Sequence, residues 1–64
     1  MHPATIHVLK YFSYNHLPAS LQAVSQPFAE LAQQVAERVP NSPETAVALR
    51  RLLEAKDAAV RAAL

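Results

Sequence analysis

Nine residues, Lys10-Tyr11-Phe12-Ser13-Tyr14-Asn15-His16-Leu17-Pro18, hold three of the four aromatic residues of this 64-residue chain. Two tyrosines three apart fall on one side of a helix and offer flat faces tipped with hydroxyls. Lys10 adds a cation, and His16 a donor or acceptor that can switch near neutral pH. Such a set suits a planar anionic ligand such as a nucleotide. Tyr11 and Tyr14 would stack on its bases, an interaction worth roughly 1–3 kcal/mol per base. The competing reading is plain packing, the commonest fate of a Tyr/Phe cluster at helical spacing. Phe12 and Phe28 are assigned to the core. His16, beside Asn15, either hydrogen-bonds at the turn or reaches a ligand phosphate.

Other chemistries find less material. His2 and His7 are five apart across Pro3, with no Asp or Glu nearby, whereas helical metal ligands recur three or four apart. No metal site and no cofactor are expected. The chain has no cysteine, and its serines lack a neighbouring histidine with an acidic orienter. It is therefore read as a binding protein and not an enzyme.

Charge and size narrow the partners. Six Lys plus Arg stand against five Asp plus Glu. Nucleic-acid modules usually carry a basic excess, because phosphate neutralisation supplies much of their affinity. Near neutrality argues against DNA or long RNA, and against a small helix-turn-helix binder, while a ligand with two or three phosphates needs only a few local cations. No run approaches the roughly 20 apolar residues of a membrane span. Met1-His2-Pro3-Ala4 does not read as a signal peptide, so the expected location is the cytoplasm. A chain this short buries only about 60% of its unfolded surface. Yet 52% of its residues are hydrophobic and no disulfide can help. Association with copies of itself would remove the leftover apolar surface from water.

The elements that must position these residues read as all-α: a short N-terminal helix, then an antiparallel helical hairpin, in one domain over residues 1–64. Thr5 to Tyr14 mixes β-branched and aromatic residues without clean alternation, which predicts a short helix over about 5–14. Leu21, Val24, Phe28, Leu31, Val35 and Val39 recur at spacings of three and four, one apolar stripe on a helix over about 19–39. Pro27 interrupts it, either kinking the helix or opening a new one capped by Ser25. Pro40 stops that helix. Ser42 caps the next, with Pro43 at its first position and Glu44 at the positive end of its dipole. Residues 43–63 hold strong helix formers and no breaker.

On this last helix Leu49, Leu52, Leu53, Val60 and Leu64 share a face. Arg50, Glu54, Asp57 and Arg61 form an adjacent row of alternating sign, either a solvated face with supportive pairs or a set of inter-subunit ion pairs. Lys56 lies near the middle of the apolar face, between Leu52 and Ala59. Its stem would cover apolar surface while the ammonium snorkels out, or several symmetry-related copies would surround an anion.

The order of these features resembles a family of small phage proteins, the anti-CBASS cyclic-nucleotide sponges. The residues that carry the resemblance are Tyr11-Phe12-Ser13-Tyr14, His16 and Pro18, then Leu31-Ala32, the turn from Pro40 to Pro43, Ala48-Leu49, Leu52 and Glu54-Ala55. It covers roughly residues 8–64; the aromatic motif is its more specific part. The resemblance implies a helical homo-oligomer, typically a hexamer, that holds cyclic dinucleotides between protomers without cleaving them. Some members hold cyclic trinucleotides where three protomers meet. The captured messenger no longer activates the bacterial defence, which places the protein in the host cytoplasm.

Carried over residue by residue, Tyr14 matches the tyrosine that contacts the base, and His16 and Pro18 match the His and Pro after it. Asn15 is an insertion between Tyr14 and His16. Ser25 or Gln26 stands where the family has a phosphate-binding cation, so Lys10, Arg50, Arg51 or Lys56 would have to supply the charge. The ligand set expected is Tyr11, Tyr14, Asn15, His16, Ser25, Gln26, Arg50 and Arg51, with Lys56 and Arg61 at a second site. The alternative is a non-enzymatic helical-hairpin module that assembles itself or masks a host protein.

Overall fold

The structure, a computed structural model, describes residues 3–64; His2 lies outside them. Pro3 opens the first helix, α1 (Pro3–Leu9), a position where a missing N–H costs no intrahelical bond. The chain then tightens into a 3-10 turn, Lys10–Phe12. The predicted helix over 5–14 therefore begins and ends earlier. Ser13 leaves the helical region at φ −59°, ψ 137°, and its N–H closes the turn on the Lys10 carbonyl at 3.3 Å. Ser13, Asn15 and Pro18 fall within the six residues from Ser13 and favour this exit.

Helix α2 (Ala19–Arg38) runs unbroken through Pro27. Ser25 does not start a new helix; it is wholly buried inside this one. Proline here removes one donor, the one that would have reached the Ala23 carbonyl. Helix α3 (Pro43–Ala63) follows, with Pro43 in its first turn and Glu44 beside it. The described residues form no strand. The molecule measures 34 × 18 × 17 Å. A 20-residue helix is about 30 Å long, so α2 and α3 must lie near the long axis.

The core is a narrow seam. Val8 and Phe12 enter it from the N-terminal segment, Ala32 and Ala36 from α2, and Leu49 from α3. Leu9, Phe28, Ala29, Val35, Leu52 and Leu53 pack around its edge, half-buried. The buried positions on α2 are thus the small residues Ser25, Ala32 and Ala36. The bulky stripe read from the sequence lies to one side of them. Leu31 is 47% exposed and Val39 40%. Small side chains let two helix backbones approach closely, and that geometry turns the larger residues outward.

The connection into α3 is held by a threonine. Ser42 occupies the N-cap position in an extended conformation, but its hydroxyl reaches no backbone amide. It lies 3.4 Å from the Thr45 hydroxyl, which itself donates to the Pro40 carbonyl at 2.7 Å. The expected serine cap is replaced by a hydroxyl pair one turn apart, because Thr45 is buried and its donor has a carbonyl within reach. Thr45→Val keeps the shape and deletes the donor. Its expected cost is about 1 kcal/mol. For a domain of this size that lowers the Tm by about 4–8 °C, read from a circular-dichroism melt.

Candidate functional site

The aromatic segment spans the end of the 3-10 turn and the loop into α2. Because the helical spacing breaks at Ser13, Tyr11 and Tyr14 do not share a helix face. Tyr11 stands out from the surface, 53% exposed, while Tyr14 is half-buried in the loop. The two rings make no contact with each other; the ring neighbour of Tyr11 is His7. His7 and Tyr11 meet edge to face, with centroids 5.5 Å apart and planes at 77°. The Lys10 ammonium lies 5.9 Å from the Tyr11 ring centre. By sequence alone His7 stands only as a candidate metal ligand. Its spacing of four from Tyr11 was the available signal, since residues four apart on a helix are neighbours.

The loop is held in place by α2. The Leu17 N–H donates to the Tyr14 carbonyl at 3.0 Å, closing a turn around Asn15 and His16. Gln22, one turn into α2, donates its amide to the Leu17 carbonyl at 2.7 Å and to the Asn15 carbonyl at 3.3 Å. Asn15 and His16 keep their side chains exposed on a backbone that is clamped from behind. Gln22 was absent from the sequence reading, because a glutamine on a helix gives no hint of which carbonyls it will meet. Leu21 and Gln22 N–H groups both donate to the Pro18 carbonyl, which seats the first turn of α2 against the same loop.

The remaining predicted ligand residues are spread over α2 and α3. Ser25 is wholly buried, and its hydroxyl has no hydrogen-bond partner. No ligand touches it while the helices stay packed. Gln26, next to it, is exposed and donates to the Glu30 carboxylate at 2.9 Å. Arg50 is exposed and forms no ion pair among the described residues. Arg51 reaches Glu54 at 3.6 Å with both side chains largely in water, a pairing worth a few tenths of a kcal/mol. The alternating row therefore pairs differently from its spacing: Arg51 with Glu54, and Lys56 with Asp57 at 2.9 Å. The Lys56 side chain is only 13% exposed, its stem covered and its ammonium held by the neighbouring carboxylate. Arg61 is exposed near the end of α3.

Electrostatically the chain divides in two. No Asp or Glu occurs before Glu30, whereas Lys10 and all three histidines do. The N-terminal segment with the aromatic residues therefore carries no carboxylate itself, while α3, against which α1 packs, carries Glu44, Glu54 and Asp57. Among the described residues no three His, Asp or Glu side chains gather in a way that could hold a metal ion. No helix of the described residues is long and apolar enough to cross a membrane. A groove of about 370 Å³ lies elsewhere, at the α2–α3 connection, lined chiefly by Val35, Val39, Pro40 and Ala48. It contains none of the residues expected to bind ligand.

No known protein family, curated protein or solved structure matches this chain.

Two substitutions probe this arrangement. Gln22→Met keeps the length of the side chain and removes its donor; it should cost about 1 kcal/mol and speed hydrogen exchange at the Leu17 amide. Unchanged exchange there would show that the loop holds without Gln22. Ser25→Ala deletes a hydroxyl that has no partner and adds a better helix former, so the Tm should stay the same or rise. A fall in Tm would show that this hydroxyl makes a bond in solution.

Proposed function

We propose that this protein binds cyclic oligonucleotide second messengers and sequesters them without cleavage, as a phage anti-defence protein in the host cytoplasm. The observation that carries the reading is the clamped loop of half-buried Tyr14 and exposed Asn15 and His16 beside exposed Tyr11, all within a stretch that lacks carboxylates. The similarity of that segment to the motif of the anti-CBASS sponges supplies the ligand class. A base would stack on Tyr11 or Tyr14. His16, Gln26 and Arg50 or Arg51 would meet ribose and phosphate. Binding energy in such a site comes from stacking and from a few local cations, with no group required to move a proton.

Assembly belongs to the same proposal. The α2–α3 pair forms an antiparallel hairpin, and copies of it associate, with six as the number the resemblance implies. Exposed Leu31, Val39 and Val47 support this, since a chain with so narrow a core gains by covering them. Association would also bring Arg50, Arg51, Lys56 or Arg61 of one copy toward the loop of another. The cation missing at Ser25 and Gln26 would then come from a neighbour.

A second reading has its own observation. The apolar groove at the α2–α3 connection and the exposed Leu31 and Val39 on the same helix suit a non-enzymatic module that docks a protein. It predicts no small-molecule binding.

Isothermal titration calorimetry against a panel of cyclic di- and trinucleotides decides between them. Sequestration predicts saturable heat, recovery of intact nucleotide, and stoichiometry below one ligand per chain if sites lie between protomers. Tyr14→Ala should weaken binding about 5- to 150-fold, the equivalent of one lost stacking contact. No heat from any member of the panel with a folded protein would overturn the proposal, and a stoichiometric protein partner would then favour docking.

A further inference from the structure

The group formed by His7, Lys10 and Tyr11 differs in kind from the loop beside it. All three side chains are exposed on a single copy of the chain, and His7 and Lys10 both lie beside the Tyr11 ring. Tyr11 meets His7 edge to face and has the Lys10 ammonium over its ring, 5.9 Å from the centroid, yet 53% of it remains open to solvent. Lys10 is paired with no carboxylate, and none precedes Glu30 in the chain. A cation near the carbonyl end of a short helix is ordinary. A cation and an imidazole both gathered on one exposed tyrosine are more than that end requires.

We propose that His7, Lys10 and Tyr11 form a surface site for a mononucleotide, taking the base on the tyrosine and one phosphate on the lysine. The exposed ring face offers stacking, which tolerates any base because every base has a π-face. The Lys10 ammonium is a compact point charge suited to a single phosphate. His7 offers a ring N–H to a ribose hydroxyl or to the same phosphate. The edge contact with His7 lowers the cost of binding, because a side chain already held loses little rotamer freedom when a ligand arrives. This site needs no second copy of the chain and no cyclic linkage. It rests on the reading of Tyr11 as a stacking residue and extends it to linear mononucleotides, with His7 and Lys10 as the specific partners.

The test is an amide-resolved NMR titration of the full chain with guanosine monophosphate, and in parallel with guanosine. The expected shifts centre on residues 7–12. Tyr11→Leu should weaken binding of both ligands about fivefold or more. Lys10→Ala should weaken the monophosphate about two- to fivefold and leave guanosine unchanged, because only the phosphate meets the ammonium. His7→Phe keeps the edge contact and loses the donor, so any loss it causes reports the N–H. Absence of shifts at residues 7–12, or shifts that survive Tyr11→Leu, would overturn the site. The two proposals fail separately. Cyclic-nucleotide heat that depends on Tyr14, without monophosphate shifts at residues 7–12, removes this site alone. Monophosphate binding here with no heat from any cyclic nucleotide removes sequestration and leaves this site standing.

Discussion

The rest of the structure depends on how closely α2 can approach its neighbours. The α2 face turned inward is built from Ser25, Ala32 and Ala36, side chains that add little width. Leu49 of α3 is wholly buried in the resulting seam, together with Val8 and Phe12 from the N-terminal segment. At roughly 25 cal/mol per Å² of apolar area, the alanines contribute modestly to stability. Their contribution is geometric: they allow the larger Leu49, Val8 and Phe12 to be fully enclosed by a chain of 64 residues. The same choice leaves Leu31 of α2 and Val39 at its end exposed, where a partner can still reach them.

With so small a core, the connections between helices cannot rely on burial. Each is tied instead by a side chain from the helix that follows it. Gln22 holds the carbonyls of Leu17 and Asn15, and Thr45 holds that of Pro40. Both ties satisfy backbone groups that a loop would otherwise leave to water. In the first connection this has a consequence for binding: the loop is set before any ligand arrives, and Asn15 and His16 point outward from a fixed backbone. A preset loop loses little entropy on binding. The unpartnered hydroxyls of Thr5 and Ser25 run against this pattern; both are buried, and each lowers stability relative to a satisfied group.

Much of the helical order was legible in the residues. Proline marks the starts of α1 and α3, and the uninterrupted run of helix formers gives α3 its length. Charge partition was legible too, since the absence of Asp and Glu before Glu30 needs no coordinates. Pairings were not. Spacing aligned Tyr11 with Tyr14 and Arg50 with Glu54, but the first pair is parted by the exit from the helix at Ser13, and the second gives way to Arg51. Exposed side chains of this length choose among several partners of nearly equal energy, so spacing alone does not select one.

What the sequence by itself determined is the set of local preferences: where helices begin, that no glycine or cysteine intervenes, and that the aromatic residues, the histidines and Lys10 come ahead of every acid. These follow from backbone sterics, hydrogen-bond donors and charge, which each residue carries wherever it is placed. Only the tertiary structure decided which face of α2 turns inward, that Ser25 is sealed off, and that Gln22 reaches back to the loop. Periodicity marks an apolar stripe on a helix, but close packing between helices selects by size as well as polarity. Here the narrower stripe of Ser25, Ala32 and Ala36 occupies the seam, and the wider one is left at its edge.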